Sequence, residues 1–285
     1  MSDTSRPAEW VVNDLADVHA VLADDRFIVR PAEAGAPAGT VAWLRASVSR
    51  FANGPEHDRR RALVVAELDR LDPGALRAAA RDRARSALAD GAAPSAEATG
   101  GLARRVPAMV LAERFGAPDP GQVATAVDAV AAAYFPGAAE PVERAADAAT
   151  KSLLDLLAGP GLDEDLVVAR ITVLVQGYDA TANLVAAALS LLPELPADVT
   201  TDTLLAETAY RRPPVPALRR VAQAPARLGD RSIGAGDSLV CEVAAAGAAD
   251  GPAAAALTFG YGIRPCPGPA QALALAAGVI DALRE

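Results

Sequence analysis

Phe259-Gly-Tyr-Gly-Ile-Arg-Pro-Cys-Pro-Gly268 is the stretch on which the reading of this 285-residue chain turns. Glycines at 260, 262 and 268 let the backbone turn sharply and come close to a flat ligand. Arg264 carries a planar fork of donors that matches a carboxylate. Cys266 stands just ahead of a helical pattern, Pro269 to Leu283, where orphan backbone N–H groups and the helix dipole favour a thiolate. As bare chemistry the segment is either a ligand cradle holding a reactive thiolate or a glycine-rich turn with a buried free cysteine.

The rest of the composition restricts what such a cradle could hold. Cys241 and Cys266 are the two cysteines, and His19 and His57 the two histidines. They supply no disulfide framework, no zinc spacing and no multi-histidine metal site. A bound metal would therefore rely on a single thiolate for most of the protein's ligation. Cys241, inside a Val-rich run, reads as a small apolar strand residue. Hydrophobic residues make up 52% of the chain but aromatics only 4%, so Ala, Leu and Val must fill the core. Ala and Leu are strong helix formers, and the composition points to a mainly helical fold with a full core. A formal charge of −9 argues against a nucleic-acid surface. The absence of a long uncharged apolar run, and an opening MSDTSRPAEW without an apolar segment, predict a cytoplasmic protein that does not enter a membrane.

Working back from the glycine-rich segment, RRVAQAPARLGDRSIGAGDSLVCEVA places short Val, Ile and Leu runs between Gly and Pro turns, the mark of a small β region. GAADGPAAAALT joins it to the Cys266 segment. A short helix is expected at Asp202 to Arg211, stopped by Pro213-Pro214. Before it, Asp163 to Leu192 is apolar around most of its circumference, which predicts a central buried helix about 45 Å long at 1.5 Å per residue. Further helices are expected at about Leu15 to Ala23, Pro55 to Leu71, Ala75 to Ala92, Ala103 to Phe115, Gln122 to Tyr134 and Pro141 to Ala158. PSAEATGG reads as a connector, Ala32 to Thr40 as a loop, and Trp10 to Val12 as a strand. With no internal repeat and no hinge-like linker, residues 1–285 read as a single domain.

Phe259 to Gly268 matches the F-G-x-G-x-R-x-C-x-G signature of the cytochrome P-450 family at every fixed position, and three other segments resemble that family in the right order. His57-Asp-Arg-Arg-Arg61 matches its H-x-x-x-R, whose i and i+4 members share a helix face; Arg59 and Arg60 point elsewhere and are expected at the surface. In LRRVA, Arg220 falls where the family places another haem-propionate ligand, and the neighbouring Arg219 should face the opposite way along a strand. LVQGYDATANL resembles the oxygen-activating segment, with Gly177 approaching the porphyrin and Asp179 as the acid. The resemblance implies a mainly α, cytochrome P-450-like fold with a small β region. It implies haem b whose iron is ligated by Cys266. His57, Arg61, Arg220 and Arg264 would hold the propionates, and Phe259, Gly260 and Gly268 would shape the cofactor loop. Thiolate ligation would favour O–O cleavage.

This sequence departs from the family in three places. The hydroxyl expected directly after the acid is Ala180, with Thr181 one residue later and so rotated by roughly 100°. The E-x-x-R pair reads Glu207-Thr-Ala-Tyr210, so Glu207 should be exposed, protonated or newly partnered. The chain is also short: the resemblance implies a reduced fold missing N-terminal elements and the C-terminal β-hairpin. The expected function is oxidative tailoring of a small organic, secondary-metabolite-type substrate, with a ferredoxin or reductase as electron donor, or peroxide. Asp179, Ala180, Thr181 and Gly177 are the expected distal residues. Haem chemistry of another kind (peroxide-driven oxygenation, coupling, cyclisation or dehydration) and a non-catalytic accessory role are the alternatives, and retention of Cys266 counts against the last.

Overall fold

The computed structural model describes residues 7–89, 96–250 and 257–285. The expected end of the Ala75–Ala92 helix, the start of the PSAEATGG connector and much of the GAADGPAAAALT link lie outside the described residues. The chain forms two compact units: residues up to Arg30 with Ala206–Cys266, and Pro31–Leu205 with Pro267–Glu285.

The first unit is built on a four-stranded sheet of order β1-β6-β3-β2. Strand β1 (Glu9–Val12) runs parallel to β6 (Ser238–Cys241), while β3 (Leu218–Ala222) is antiparallel to both β6 and the edge strand β2 (Phe27–Ile28). A hairpin of β4 (Ala226–Leu228) and β5 (Arg231–Ile233) stands apart. Helix α1 (Leu15–Ala23), capped by the Asp14 carboxylate, buries Val18, Val21 and Leu22 in a core with Phe27, Leu239 and Cys241. Asp237 ties the sheet together. Its carboxylate accepts from the Ala8 N–H and the Trp10 indole, each at 2.8 Å, and from the Gly234 N–H at 2.9 Å.

The second unit is helical. Helix α8 (Glu164–Leu191) runs through it, with buried residues on nearly all sides, as its sequence predicts. Around it pack α3 (Gly54–Asp69), α5 (Ala96–Arg114), α6 (Pro120–Ala132), α7 (Glu140–Leu157) and α11 (Pro269–Leu283). Helix α4 (Pro73–Ala89) lies so close against α11 that a Cβ on Gly278 would collide with the Arg77 carbonyl. A buried ion pair, Arg170 Nε to Glu67 Oε2 at 2.6 Å, links α8 to α3, and Arg170 also donates to the Phe115 carbonyl at 3.2 Å. Helix α9 (Thr201–Arg211) begins in the second unit and ends in the first.

Two sequence expectations need correction, and two helices lie where the sequence reading placed none. Ala96–Gly101, read as connector because of its Gly pair, is the first part of α5. Each glycine costs a helix about 1 kcal/mol, but burial of Leu102, Ala103 and Val106 just beyond anchors the segment. Val41–Ser47 forms a further helix, α2, capped by the Thr40 hydroxyl, and Val243–Asp250 forms α10. Arg60 is not a surface residue. Its guanidinium donates to the Ala46 and Val48 carbonyls at 2.6 and 3.2 Å and braces the corner between α2 and α3.

Candidate functional site

The Cys266 segment of the first unit is a tight loop whose geometry its glycines make possible. The Cys266 N–H donates to the Phe259 carbonyl at 2.5 Å, folding the loop back on itself. Gly260 and Gly262 have φ of +77° and +68°, in the left-handed region that disfavours side chains. At Gly260 a Cβ would lie 3.2 Å from the Arg264 carbonyl oxygen; at Gly262 it would strike the Leu22 carbonyl of α1. The Ile263 N–H donates to that same carbonyl at 3.3 Å, and the Tyr261 ring packs on His19 with centroids 4.1 Å apart. Phe259, Arg264 and Cys266 are all half-buried.

Behind this loop Glu207 is half-buried on α9, and Tyr210 stands where a cation was expected. The loop is tethered to α9 in another way: the Thr258 hydroxyl donates to the Ala209 carbonyl. On β3 the alternation sorts the two arginines. Arg219 is exposed and pairs with Glu9 at 3.2 Å, whereas Arg220 is 5% exposed, its Nη1 donating to the Arg219 carbonyl at 2.9 Å. Cys241 lies fully buried in the same sheet, and burial pushes its thiol up to about 11, with Arg220 opposing the shift. A thiol that stays protonated suits the apolar reading of Cys241.

The second unit carries the other predicted residues. His57 is buried on α3 with Nδ1 2.9 Å from the Asp58 carboxylate, and Arg61, one turn on, is half-buried. Gly268, immediately before α11, is buried; a Cβ there would come within 3.1 Å of both Leu68 methyl carbons, and Gln271 donates to the Leu68 carbonyl at 3.0 Å. On α8 the space beside Gly177 is open, since a Cβ there would meet only the Thr181 hydroxyl at 4.0 Å. Thr181 therefore shares the face of Gly177, as i and i+4 residues do, and is itself buried. Ala180 is half-buried. Asp179 is exposed at 57% and faces Arg104 of α5 at 3.4 Å. Tyr178 is buried on the opposite side, donating to Asp128 at 2.9 Å, and the Gln176 amide donates to the Tyr134 hydroxyl at 3.1 Å.

Sequence reasoning missed one cluster in this unit. Arg50 and Phe51, just ahead of α3, gather with Tyr134 and Phe135 at the end of α6. The available signal was the coming together of rare residues: in a chain with 4% aromatics, Phe51 lies next to Arg50 and Tyr134 next to Phe135.

No protein-family model matches the sequence, and no curated relative matches it. Solved structures do. P450BioI, determined in complex with an acyl carrier protein ligated to hexadec-9Z-enoic acid, matches with a TM-score of 0.77 at 19% identity, over 96% of this chain and 84% of that one. The chain has the cytochrome P450 fold. CYP164A2 of Mycobacterium smegmatis, in its ligand-free state, aligns at a TM-score of 0.74 and 22% identity over 96% of this chain and 83% of its own. SgvP, described as a putative thioether synthase in griseoviridin tailoring, gives 0.74 and 24% over 96% and 81%. The P450 fold is thus present at low identity, mostly helical with small sheets as expected. Among the described residues no helix is long and apolar enough to cross a membrane, and no cluster of three or more His, Cys, Asp or Glu could hold a metal. A lone thiolate remains the candidate metal ligand.

Proposed function

We propose that the protein is a haem-thiolate enzyme that oxidises a small organic molecule. The observation that carries this reading is the Cys266 loop. All fixed residues of the P450 signature are present, and they adopt the geometry that needs them, with left-handed glycines at 260 and 262 and the Cys266 N–H turned onto the Phe259 carbonyl. The residues fit a porphyrin on two further counts. The open space beside Gly177 leaves room for a flat face against α8. The Arg220 guanidinium, sorted to the buried face of β3, carries the planar fork of donors that suits a carboxylate.

In this reading Cys266 ligates the iron of haem b. Arg220, Arg264, His57 and Arg61 hold its carboxylates, and Phe259, Gly260 and Gly268 shape the loop. Haem bound there would supply redox chemistry with O₂ and electrons from a ferredoxin or reductase, or with peroxide. The protein's own part is placement and proton handling. Gly177 leaves the space, Ala180 offers no proton, and the Thr181 hydroxyl on the Gly177 face can donate one. Asp179, exposed and facing Arg104, is the acidic residue of this segment. We place the enzyme in the cytoplasm, acting on a secondary metabolite as residues 1–285 of one domain. Two of the similar structures support this: SgvP, described as involved in the tailoring step of griseoviridin, and TxtC, described in thaxtomin hydroxylation.

Ala180 favours a second reading in which oxygen activation with a reductase is replaced by peroxide-driven oxygenation, coupling, cyclisation or dehydration. The test is titration of the purified chain with haem, followed by oxygen uptake with a reductase system and, separately, turnover with peroxide. Stoichiometric haem uptake with reductase-supported oxygen consumption is the expected result. Turnover with peroxide alone would favour the second reading, and failure to take up haem would overturn both.

A further inference from the structure

Two arginines near α2 differ in a way that points to a ligand. Arg45 is buried and fully engaged, donating to the Tyr134 and Ala133 carbonyls at 3.1 and 2.6 Å and pairing with Glu143 at 3.2 Å. Arg50 has none of this. Its guanidinium lies over the Phe51 ring at 5.6 Å and the Phe135 ring at 5.7 Å, and among the described residues no carboxylate pairs with it. The aromatic faces attract the cation but do not neutralise it, and removing an uncompensated charge from water is unfavourable. Consistently, burial pulls the Arg50 guanidinium below its ordinary range. The arrangement is open on one side, because Phe135 is 59% exposed. Beside it, the buried Tyr134 hydroxyl accepts from Gln176 and keeps its own proton to donate. Gln176 directly precedes Gly177 on α8, so a chain of ring and amide contacts runs from Arg50 to the turn of α8 that carries Gly177.

We propose that Arg50, held between Phe51 and Phe135, anchors the carboxylate of an apolar substrate, with the Tyr134 hydroxyl as a second donor. Calling the ligand a substrate rests on the oxidative function proposed above. A carboxylate supplies the counter-charge that Arg50 lacks, a planar guanidinium binds it through two parallel hydrogen bonds, and the rings cover an aryl or alkyl body. Arg50 acts here as a specificity-determining residue.

The test is calorimetric titration of the purified full-length chain with 3-phenylpropanoate and with its uncharged amide. The carboxylate should bind tighter by about tenfold or more, the scale of one charge-assisted hydrogen bond. Arg50→Gln should abolish that preference while leaving the amide's affinity unchanged. Phe135→Leu, which removes the exposed ring of the cluster, should weaken both ligands. Arg105→Gln, an exposed arginine on α5, should leave the preference intact. Equal affinities in the wild-type chain, no carboxylate binding, persistence of the preference in Arg50→Gln, or its loss in Arg105→Gln would each overturn the proposal. The two readings fail separately: a haem spectrum without the preference removes the anchor alone, and the preference without haem uptake removes the oxidative function and leaves the anchor.

Discussion

Gly262→Ala should be among the most damaging single-methyl additions in the chain. Two costs combine at this position. A left-handed conformation at φ +68° costs an alanine about 1–2 kcal/mol relative to glycine. The new Cβ would also strike the Leu22 carbonyl, a backbone atom at the end of α1 that cannot rotate away. Overpacking that forces backbone to move costs about 1–3 kcal/mol more, which brings the total to about 2–5 kcal/mol. Gly229, in the β4–β5 turn of the same unit, separates the two costs: its φ is +59° but nothing lies within 4 Å of a Cβ. Gly229→Ala should therefore show the conformational cost alone. Urea unfolding followed by circular dichroism measures both as shifts of midpoint at unchanged slope. Because the displaced loop carries Cys266, Gly262→Ala should also weaken haem retention while Gly229→Ala leaves it intact. Equal destabilisation by the two substitutions would refute the claim that the loop is packed against α1.

Other outcomes follow from the same geometry. Burial of Asp237 pushes its carboxyl up, but the Trp10, Ala8 and Gly234 donors outweigh this and hold it below the usual carboxylate range. The stability it contributes is complete above the unfolded-state value near pH 4 and is lost as pH falls through the lower folded value, so Asp237→Asn should flatten the acid limb of a stability–pH profile. Arg170→Met leaves Glu67 buried with, among the described residues, only the outlying Arg70 at 3.0 Å and should cost about 3–5 kcal/mol in chemical unfolding, whereas a double replacement of Arg170 and Glu67 by apolar residues should recover much of it; no recovery would refute the pairing. Asp179→Asn should depress reductase-supported turnover more than peroxide-supported turnover, and Thr181→Val should do the same because its hydroxyl shares the Gly177 face. Equal losses under both oxidants would remove these residues from proton delivery.

The elements with a clean sequence period or stop signal were the legible ones. Leu15–Ala23 and Pro269–Leu283 begin and end where the pattern places them, and α8 is buried on nearly every side as its apolar circumference requires. The strand alternation at Arg219 and Arg220 also reads directly into one exposed and one buried guanidinium. What escaped depended on partners far away in sequence. The Gly pair at 100 and 101 is helical because burial of its neighbours outweighs propensity. Arg60 reads as a surface charge until the carbonyls of Ala46 and Val48 appear beside it. In the candidate site the motif spacing marked Cys266, Gly177 and Arg220. It could not show that the Thr181 hydroxyl lies on the Gly177 face, or that Thr258 tethers the cysteine loop to α9 where Tyr210 replaces the expected cation.

The central claim is that the Cys266 thiolate ligates haem iron, and the reduced, CO-bound absorption spectrum tests it most directly. The haem-loaded wild-type chain should give the red-shifted Soret band characteristic of a thiolate ligand, and Cys266→Ala should lose that band while Cys241→Ala retains it. A thiolate-type spectrum that survives Cys266→Ala, or a wild-type spectrum lacking that band, would contradict the account.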